Sequence, residues 1–431
     1  MLPQGGVSAP WVIIGRLVSL LRRRLAATFL ALWAIGIAAT QAAADAPADS
    51  TWIALKPLPR QGNTAVFALA VDPSNNQALV AANSEGSLLR SPNGGASWSI
   101  VHAGKAAITT IAFDPYSSGL VMAGTRGAGA LASRDGGATW SIASGLEGRT
   151  VRVFAFALSL VAAGTDQGVY VGSDNLSFAI SGLANRNVNA LAVEAIHAPV
   201  RLIAGGDATS GGALPLFQSA DGGAAWTQLS PAISGATVVR LTAGPLPPTG
   251  NVRPVLVGTN TGLFASTDNG ASLSTLSGGA LLPTTDYTQV AFIADHFDRF
   301  YAASDGGGSQ SGGLWRTDDG GQTFRSLQPP EPSVTALAVS SDEQPALYVA
   351  TFQPSTHAVS LWTYHDTGGE PQGPPGTQSP VASGARHAAS GGDSSLAAFL
   401  ANPQLPYIAL GVGALAVLLT AIVAHLRGRA R

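Results

Sequence analysis

The string SRDGGATW, at residues 133–140, is the most informative stretch of this 431-residue chain. Four further strings share its spacing of Ser or Thr, Asp or Asn, and Gly: SPNGGASW (91–98), SADGGAAW (219–226), STDNGASL (266–273) and TDDGGQTF (317–324). A sixth, degenerate copy, GSDNLSF (172–178), lacks one residue and the glycine. From Ser91 to Thr317 the copies recur about every 45 residues, which is the length of one four-stranded propeller blade.

Each copy reads as a hairpin turn between an apolar strand such as LFAS and an aromatic-led strand such as WSIA. The Asp side chain can accept backbone N–H groups of its own turn, and Gly supplies a positive φ. The closing Trp or Phe is expected to pack between neighbouring blades. We therefore assign the repeated positions to architecture: Ser91, Asn93, Gly95, Trp98, Ser133, Asp135, Gly137, Trp140, Ser219, Asp221, Gly223, Trp226, Ser266, Asp268, Gly270, Thr317, Asp319, Gly321 and Phe324.

The remaining blade strands precede each turn as two β-like runs, for example VFALAVDP (66–73) and ALVAAN (78–83). Six blades carry the turn, and a seventh set of strands at 334–366 lacks an outer strand. STWIALK (50–56) looks like the outer strand ASWSIVH (96–102). The pattern predicts an all-β, seven-bladed β-propeller over 45–366, in which strand 50–56 completes the last blade and leaves no open edge. Six or eight blades would require that one block is misread.

The two ends of the chain carry signals for a membrane. Arg22, Arg23 and Arg24 precede a 15-residue apolar run that ends in small residues, which predicts a signal peptide over 1–44. An uncleaved anchor helix is the alternative. Residues 407–426 contain no charged side chain and would span ~30 Å as a helix, which predicts a transmembrane helix. The three arginines in 427–431 place that basic tail in the cytoplasm by the positive-inside rule.

The domain order predicts a membrane protein that crosses once, with its propeller outside the cytoplasm, at a bacterial cell surface. Residues 367–406, with 7 Gly and 6 Pro, read as an extended linker. The segment 45–406 holds 16 of the 23 Lys and Arg residues and all 25 Asp and Glu residues. Its net charge of about −9 suits a solvated exterior domain.

Composition excludes several functional classes. Charged residues make up 11% of the chain, against about 25% in average soluble proteins, and no basic excess is present to bind nucleic acid. The absence of cysteine excludes disulfides, a thiolate nucleophile and Cys-ligated zinc. The seven histidines show neither HxH nor HExxH spacing, so we predict no metal site and no cofactor.

The turn strings resemble the Asp-box, or bacterial neuraminidase repeat, of the form S-x-D-x-G-x-T-W. The resemblance covers roughly residues 50–366 and extends to sialidases, xyloglucan-cleaving glycoside hydrolases, sortilin-type receptors and photosystem II assembly factors. The pattern is most similar to the assembly-factor and xyloglucanase types. The resemblance implies that the Asp-boxes are structural and lie on the face away from an active site.

The resemblance also permits tests of activity. A sialidase needs an arginine triad whose first member sits in an R-I-P or R-L-P string, and here that region offers only Arg60 in PLPRQG. None of the five propeller glutamates lies in a recognisable tyrosine pairing, so a typical sialidase is disfavoured. Xyloglucanases carry two tandem propellers around a long cleft, whereas this chain encodes one. The assembly factors dock a partner through a basic patch, and only Arg149 and Arg152 form a close arginine pair here.

The turns between the second and third strands of the blades supply the candidate binding residues. One mouth of the propeller is expected to carry Glu85, Arg126, Asp166, Asp207, Asn260 and Asp305. Such polar groups suit a sugar, a peptide or a cation, although turn positions favour Asp and Asn in any case. We predict a binding or scaffolding module for a protein or glycan ligand. The alternatives are a glycoside hydrolase that uses carboxylates ~5–10 Å apart and an assembly factor for a membrane complex.

Overall fold

The computed structural model describes residues 50–369, except 174, 210–211, 230, 232 and 308–311. These residues form 28 strands arranged as seven four-stranded sheets. No helix of this described part is long and apolar enough to cross a membrane. The predicted signal peptide (1–44), most of the predicted linker (367–406), the predicted transmembrane helix (407–426) and the basic tail (427–431) lie outside the described residues.

Short turns connect the strands. In chain order the strands are β1 (Trp52–Ala54), β2 (Leu69–Asp72), β3 (Asn75–Ala82), β4 (Leu88–Ser91), β5 (Ser99–His102), β6 (Ile108–Phe113), β7 (Val121–Thr125), β8 (Ala130–Ser133), β9 (Ser141–Ala143), β10 (Val151–Ala157), β11 (Leu160–Thr165), β12 (Gly168–Gly172), β13 (Phe178–Gly182), β14 (Val188–Ala195), β15 (Arg201–Gly206), β16 (Leu216–Ser219), β17 (Thr227–Gln228), β18 (Val238–Ala243), β19 (Val255–Thr259), β20 (Gly262–Ser266), β21 (Ser274–Leu276), β22 (Gln289–Phe292), β23 (Phe300–Ser304), β24 (Gly313–Thr317), β25 (Arg325–Ser326), β26 (Val334–Val339), β27 (Ala346–Gln353) and β28 (Ala358–His365).

The sheets are the seven blades of a closed propeller, as the repeat predicts. Blades 1 to 6 each contain four consecutive strands, from β2–β5 to β22–β25, and blade 7 contains β26, β27, β28 and β1. The first strands contact their neighbours in an unbroken cycle, β2 to β6 and onward to β26, which contacts β2 again. Apolar side chains fill the space between blades because each blade buries both of its faces.

The N-terminal strand closes the ring, which confirms the predicted pairing. Trp52 lies opposite Tyr364 in an antiparallel ladder, with ring centroids 4.9 Å apart. Its indole Nε1 donates a hydrogen bond to the carbonyl of Leu327 at 2.8 Å, which joins blade 7 to blade 6. The strand covers Trp52–Ala54 rather than the predicted 50–56. Pro57 and Pro59, which follow closely, carry no N–H and cannot continue the ladder.

A buried ionic network fastens the chain where it leaves the propeller. The Arg316 guanidinium on β24 contacts the Asp366 carboxylate at 2.5 Å, and the two side chains are 5% and 0% exposed. The Tyr301 hydroxyl donates to the other Asp366 oxygen at 2.5 Å. Because Asp366 follows β28 directly, this network ties the end of blade 7 to blade 6.

The alternation of strand direction defines two faces. The upper face carries the turns between second and third strands together with the connections between blades. The lower face carries the turns between first and second strands and the repeated turns between third and fourth strands. The chain also enters and leaves at the lower face, where the Ser50 N–H donates to the His365 carbonyl at 3.1 Å.

Candidate functional site

A cavity of about 720 Å³ opens at the upper end of the propeller axis. Its wall includes residues from the start of the first strand of every blade or just before it, and from upper-face turns such as Asn83–Ser84. The convergence of seven first strands therefore forms the cavity. No single repeat could form it alone.

A recurring irregularity of the first strands contributes side chains to this cavity. In blade 7 the pairing with the second strand shifts by one residue at Thr335, whose hydroxyl donates to the Val66 carbonyl and which is not part of the cavity wall. In blades 2 to 5 the same shift occurs at Thr109, Arg152, Asn189 and Val239. A β-bulge of this kind leaves one residue unpaired and redirects its side chain. All four of these residues line the cavity, together with the equivalent Phe67 and Thr288 of blades 1 and 6.

The cavity wall is positively charged. It contains Arg126, Arg152 and Arg240 and no Asp or Glu. Within the described part of the chain, none of these three arginines forms an ion pair. Converging guanidinium groups without a carboxylate among them favour an anionic ligand.

Arg240 occupies a special position along the axis. It lines the upper cavity and also a second cavity of about 300 Å³ at the lower end. Its Nε is buried and has no hydrogen-bond partner among the described residues. Burial lowers the pKa of Arg240, because the charged form loses solvation without gaining a carboxylate partner.

The lower cavity combines aromatic side chains with a further arginine. Phe113, Phe154 and Phe156 contribute to its wall, and Tyr116 and Arg253 lie there as well. No Asp or Glu contributes to this wall either. The axial channel therefore presents positive charge along its length, with Arg240 between its two cavities.

Of the six predicted mouth residues, the structure places only Arg126 in the cavity wall. Asp166, Asp207 and Asn260 instead accept hydrogen bonds from residues just before or early in the first strand of a blade. The donors are the Thr150 N–H at 3.1 Å, the Asn187 and Asn189 amides at 2.6 Å, and the Thr237 N–H at 2.9 Å. Asp305 accepts from the Gly307 N–H at 3.1 Å, and Glu85 is exposed. A binding role for these residues stays a prediction.

The predicted site residues do not include Arg240, Thr288 or Gln289, and Arg152 was predicted only as half of an arginine pair. These residues lie in first strands, whose alternating apolar pattern is typical of core. A usable signal was present in VRV (151–153), VVR (238–240) and TQV (288–290), where a polar residue stands beside the apolar positions of the aligned strands.

Two carboxyl groups lie on the upper face in blade 6. Burial, with a contribution from the charge of Asp305, raises the pKa of Asp286 to about 6. One carboxylate oxygen of Asp286 is buried without a hydrogen-bond partner among the described residues. Neither Asp286 nor Asp305 lines the upper cavity.

The repeated turns lie on the lower face, away from the upper cavity. In the turn at 133–140 the Ser133 hydroxyl donates to Asp135 at 2.7 Å and accepts from the Gly137 N–H at 2.9 Å. Asp135 Oδ1 also accepts from the Thr139 N–H at 2.9 Å. The turns at 91, 219, 266 and 317 repeat the Ser or Thr bonds and the acceptance of a backbone N–H by the Asp or Asn. The Ser or Thr hydroxyl and the Asp or Asn side chain therefore form hydrogen bonds within the turn itself.

The described residues contain no group of three or more His, Asp or Glu side chains arranged to hold a metal ion. No family model matches the chain, and no curated protein matches it.

Solved structures of propeller proteins do match it. YCF48 from Cyanidioschyzon merolae is 16% identical, with a TM-score of 0.49, over 73% of this chain and 98% of that one. A structure of YCF48 bound to D1 peptide is 15% identical, with a TM-score of 0.50, over 76% and 99%. The GH74 enzyme of Niastella koreensis is 18% identical, with a TM-score of 0.40, over 70% of this chain and 56% of that one. This chain therefore spans about half of the GH74 enzyme. Likeness at these identities shows the fold alone.

Proposed function

We propose that this protein is a membrane-anchored binding module outside the cytoplasm, which docks an acidic segment of a partner protein at the upper mouth of its axial channel. The observation that carries the proposal is the upper cavity, whose wall holds three arginines and no carboxylate. Acidic side chains of a partner would complete the hydrogen bonds of these guanidinium groups. A glycosidase would instead need a pair of carboxyl groups facing its substrate.

The side chains at the mouth support a protein segment as the ligand. The wall of the upper cavity includes both Arg240 and Phe67, and Phe67 is 55% exposed. An aromatic side chain beside charged donors is a common pairing at sites that anchor peptides. The similar propeller YCF48 has been solved with a bound peptide, which supports a peptide ligand in this fold. An assembly factor for a membrane complex would be one form of this docking function.

The chain path supports tethering without obstruction of the mouth. Ser50 and Thr367 meet at the lower face, where their hydroxyl oxygens are 3.2 Å apart. A membrane anchor on either end of the propeller would therefore be attached at the face opposite the three arginines.

The test is a binding screen with full-length protein in detergent, against arrays of acidic and neutral peptides and against glycans with a hydrolysis readout. We expect selective binding of acidic peptides. Arg126→Gln and Arg152→Gln should each weaken binding about tenfold, since a hydrogen bond to a charged group contributes about 1.5–3 kcal/mol. Arg134→Gln, on an exposed lower-face turn, is the matched control. Unchanged affinity in the Arg126/Arg152 double variant would contradict the proposal.

A glycoside hydrolase is the second candidate, and Asp286 is the observation that favours it. A carboxyl group with a pKa of about 6 beside a second carboxyl group suits a general acid. Hydrolysis in the glycan arm that is lost in both Asp286→Asn and Asp305→Asn would establish this candidate. Hydrolysis that persists in both variants would exclude these two residues as the catalytic pair.

A further inference from the structure

The wall of the upper cavity contains hydrogen-bond donors that have no partner among the described residues. Arg240 lines both cavities, and its Nε is buried without a partner in the described residues. The Thr288 hydroxyl, on the neighbouring blade, is likewise buried without a partner and lines the upper cavity. Buried polar groups are normally hydrogen-bonded, so two unsatisfied groups on one cavity wall need a physical reason.

The register of the strands explains why these groups face the axis. The shift between Val238 and Arg240 places both Val239 and Arg240 on the channel wall. Gln289 begins β22 beside Thr288 and adds a side-chain amide to the same wall. The guanidinium, hydroxyl and amide are all able to donate hydrogen bonds.

The charge balance favours an anion as the partner of these donors. Among the described residues no Asp or Glu lines either cavity, so no described carboxylate in the channel walls neutralises Arg240. A buried N–H of a charged guanidinium without an acceptor is costly, and a bound anion with several acceptor oxygens would remove that cost. An apolar ligand or a cation would leave it in place.

We propose that the channel contains an oxyanion-binding site, centred on Arg240 with Thr288 and Gln289, which takes one carboxylate, sulfate or phosphate group. This inference deepens the proposed function, because the carboxylate of a docked protein segment is one source of the group. A free inorganic oxyanion is the other source. The chemistry of recognition is the same for both.

The test uses full-length protein in detergent and sodium sulfate as the probe, titrated at constant ionic strength against sodium chloride. We expect saturable binding of sulfate by calorimetry and a matching rise in the melting temperature, because a ligand that binds only the folded state stabilises it. Arg240→Met should weaken sulfate binding at least tenfold. Thr288→Val should weaken it measurably while keeping the volume of the side chain. Arg134→Gln should bind as the unaltered protein does.

A second arm distinguishes the sources of the anion. Competition between sulfate and a hexaglutamate peptide that depends on Arg240 would assign the site to a carboxylate of a docked segment. Sulfate binding that depends on Arg240 but is not displaced by hexaglutamate would assign it to a free oxyanion and would count against the proposed docking function alone. The proposed site would be overturned if sulfate showed no saturable binding. It would also be overturned if Arg240→Met and Thr288→Val each bound sulfate as tightly as the unaltered protein does. Should Arg240→Met fail to fold, Thr288→Val and Arg240→Lys decide the outcome.

Discussion

At the level of individual residues, the carboxyl groups of this propeller fall into two kinds. Asp135 and Asp268 lie in the repeated turns, where hydrogen bonds from Thr139 and from Ser272 hold their pKa values below the usual range. At Asp319 burial opposes the same effect, but bonds from Thr323 and Thr317 prevail and lower the pKa to about 2. Asp286 is the opposite case, because burial, with a contribution from the charge of Asp305, raises its pKa, and one of its carboxylate oxygens has no hydrogen-bond partner among the described residues. The turn aspartates therefore stay ionised, whereas Asp286 changes charge in a mildly acidic medium.

The raised pKa of Asp286 predicts a pH dependence of stability. Between its ordinary pKa of 3.8 and its folded pKa of about 6, the folded chain holds a proton that the unfolded chain has released. The contribution of Asp286 to stability therefore falls as pH rises through this window and stays low above it. Asp286→Asn should remove this dependence. The melting temperature of the variant minus that of the unaltered protein should therefore be higher at pH 7 than at pH 4. A difference between the two proteins that does not vary from pH 4 to pH 7 would refute this assignment.

At the level of elements, the repeated hairpin turn is the unit that sets blade spacing. Each turn satisfies its own backbone donors through one hydroxyl and one carboxylate or amide, as at Ser133 and Asp135. Its second glycine also allows the preceding blade to approach. Gly137, at φ +85°, faces Val80 of blade 1, and a Cβ atom there would lie 2.7 Å from Val80 Cγ2.

The adjacent residues Gly136 and Gly137 allow the cost of a left-handed backbone to be measured apart from the cost of a steric clash with the neighbouring blade. Gly136 also has a positive φ, of +68°, but its nearest neighbour would be 3.7 Å from an added Cβ. We expect Gly136→Ala to cost about 1–2 kcal/mol, from the left-handed backbone alone. Gly137→Ala should cost about 1–3 kcal/mol more, because Val80 must move. Urea unfolding of the two variants measures the difference, and equal costs would mean that blade 1 accommodates the methyl group without strain.

At the level of the whole molecule, closure joins residues that are far apart in the chain. Trp52 is 2% exposed and packs among Tyr301, Leu314 and Val334 in the cluster between blades 6 and 7. The Thr335 hydroxyl also donates to the Val66 carbonyl at 2.6 Å, which links blade 7 to blade 1 beside the axis. The ring is held at its seam by apolar burial and by direct hydrogen bonds.

Removal of the closing tryptophan should weaken the whole ring. Trp52→Ala is expected to cost about 3–5 kcal/mol, as for other large buried aromatic residues. Trp226→Ala is the matched control, because Trp226 closes the repeated turn of blade 4, packs away from the seam and is only partly buried. Its cost should be clearly smaller. The midpoints of urea unfolding give both values, and similar losses would show that the seam contributes no more than an ordinary blade.

Much of the fold was predictable because its causes are local. The turn strings at 133–140 and their copies contain their own hydrogen-bond partners, and their recurrence therefore marks six of the seven blades. The similarity of STWIALK to an outer strand likewise predicted that the N-terminal strand completes the last blade, and Trp52 lies opposite Tyr364 there. Strand length was less predictable, because it depends on how far two distant segments remain in register.

The candidate site was only partly predictable, because its causes are not local. Arg126 could be placed at the mouth from its position in a turn. The polar residues in VRV (151–153) and VVR (238–240) stand out from the apolar pattern, but that pattern does not determine whether Arg152 and Arg240 face the axis. A one-residue shift in pairing directs a side chain either into the core or into the channel, and that shift depends on the partner strand. The amino-acid sequence thus specifies the repeat and the ring, because the hydrogen bonds that form each turn are short-range. The charged channel exists only once seven separate strands have converged, because its electrostatic character is the sum of side chains that no local pattern links.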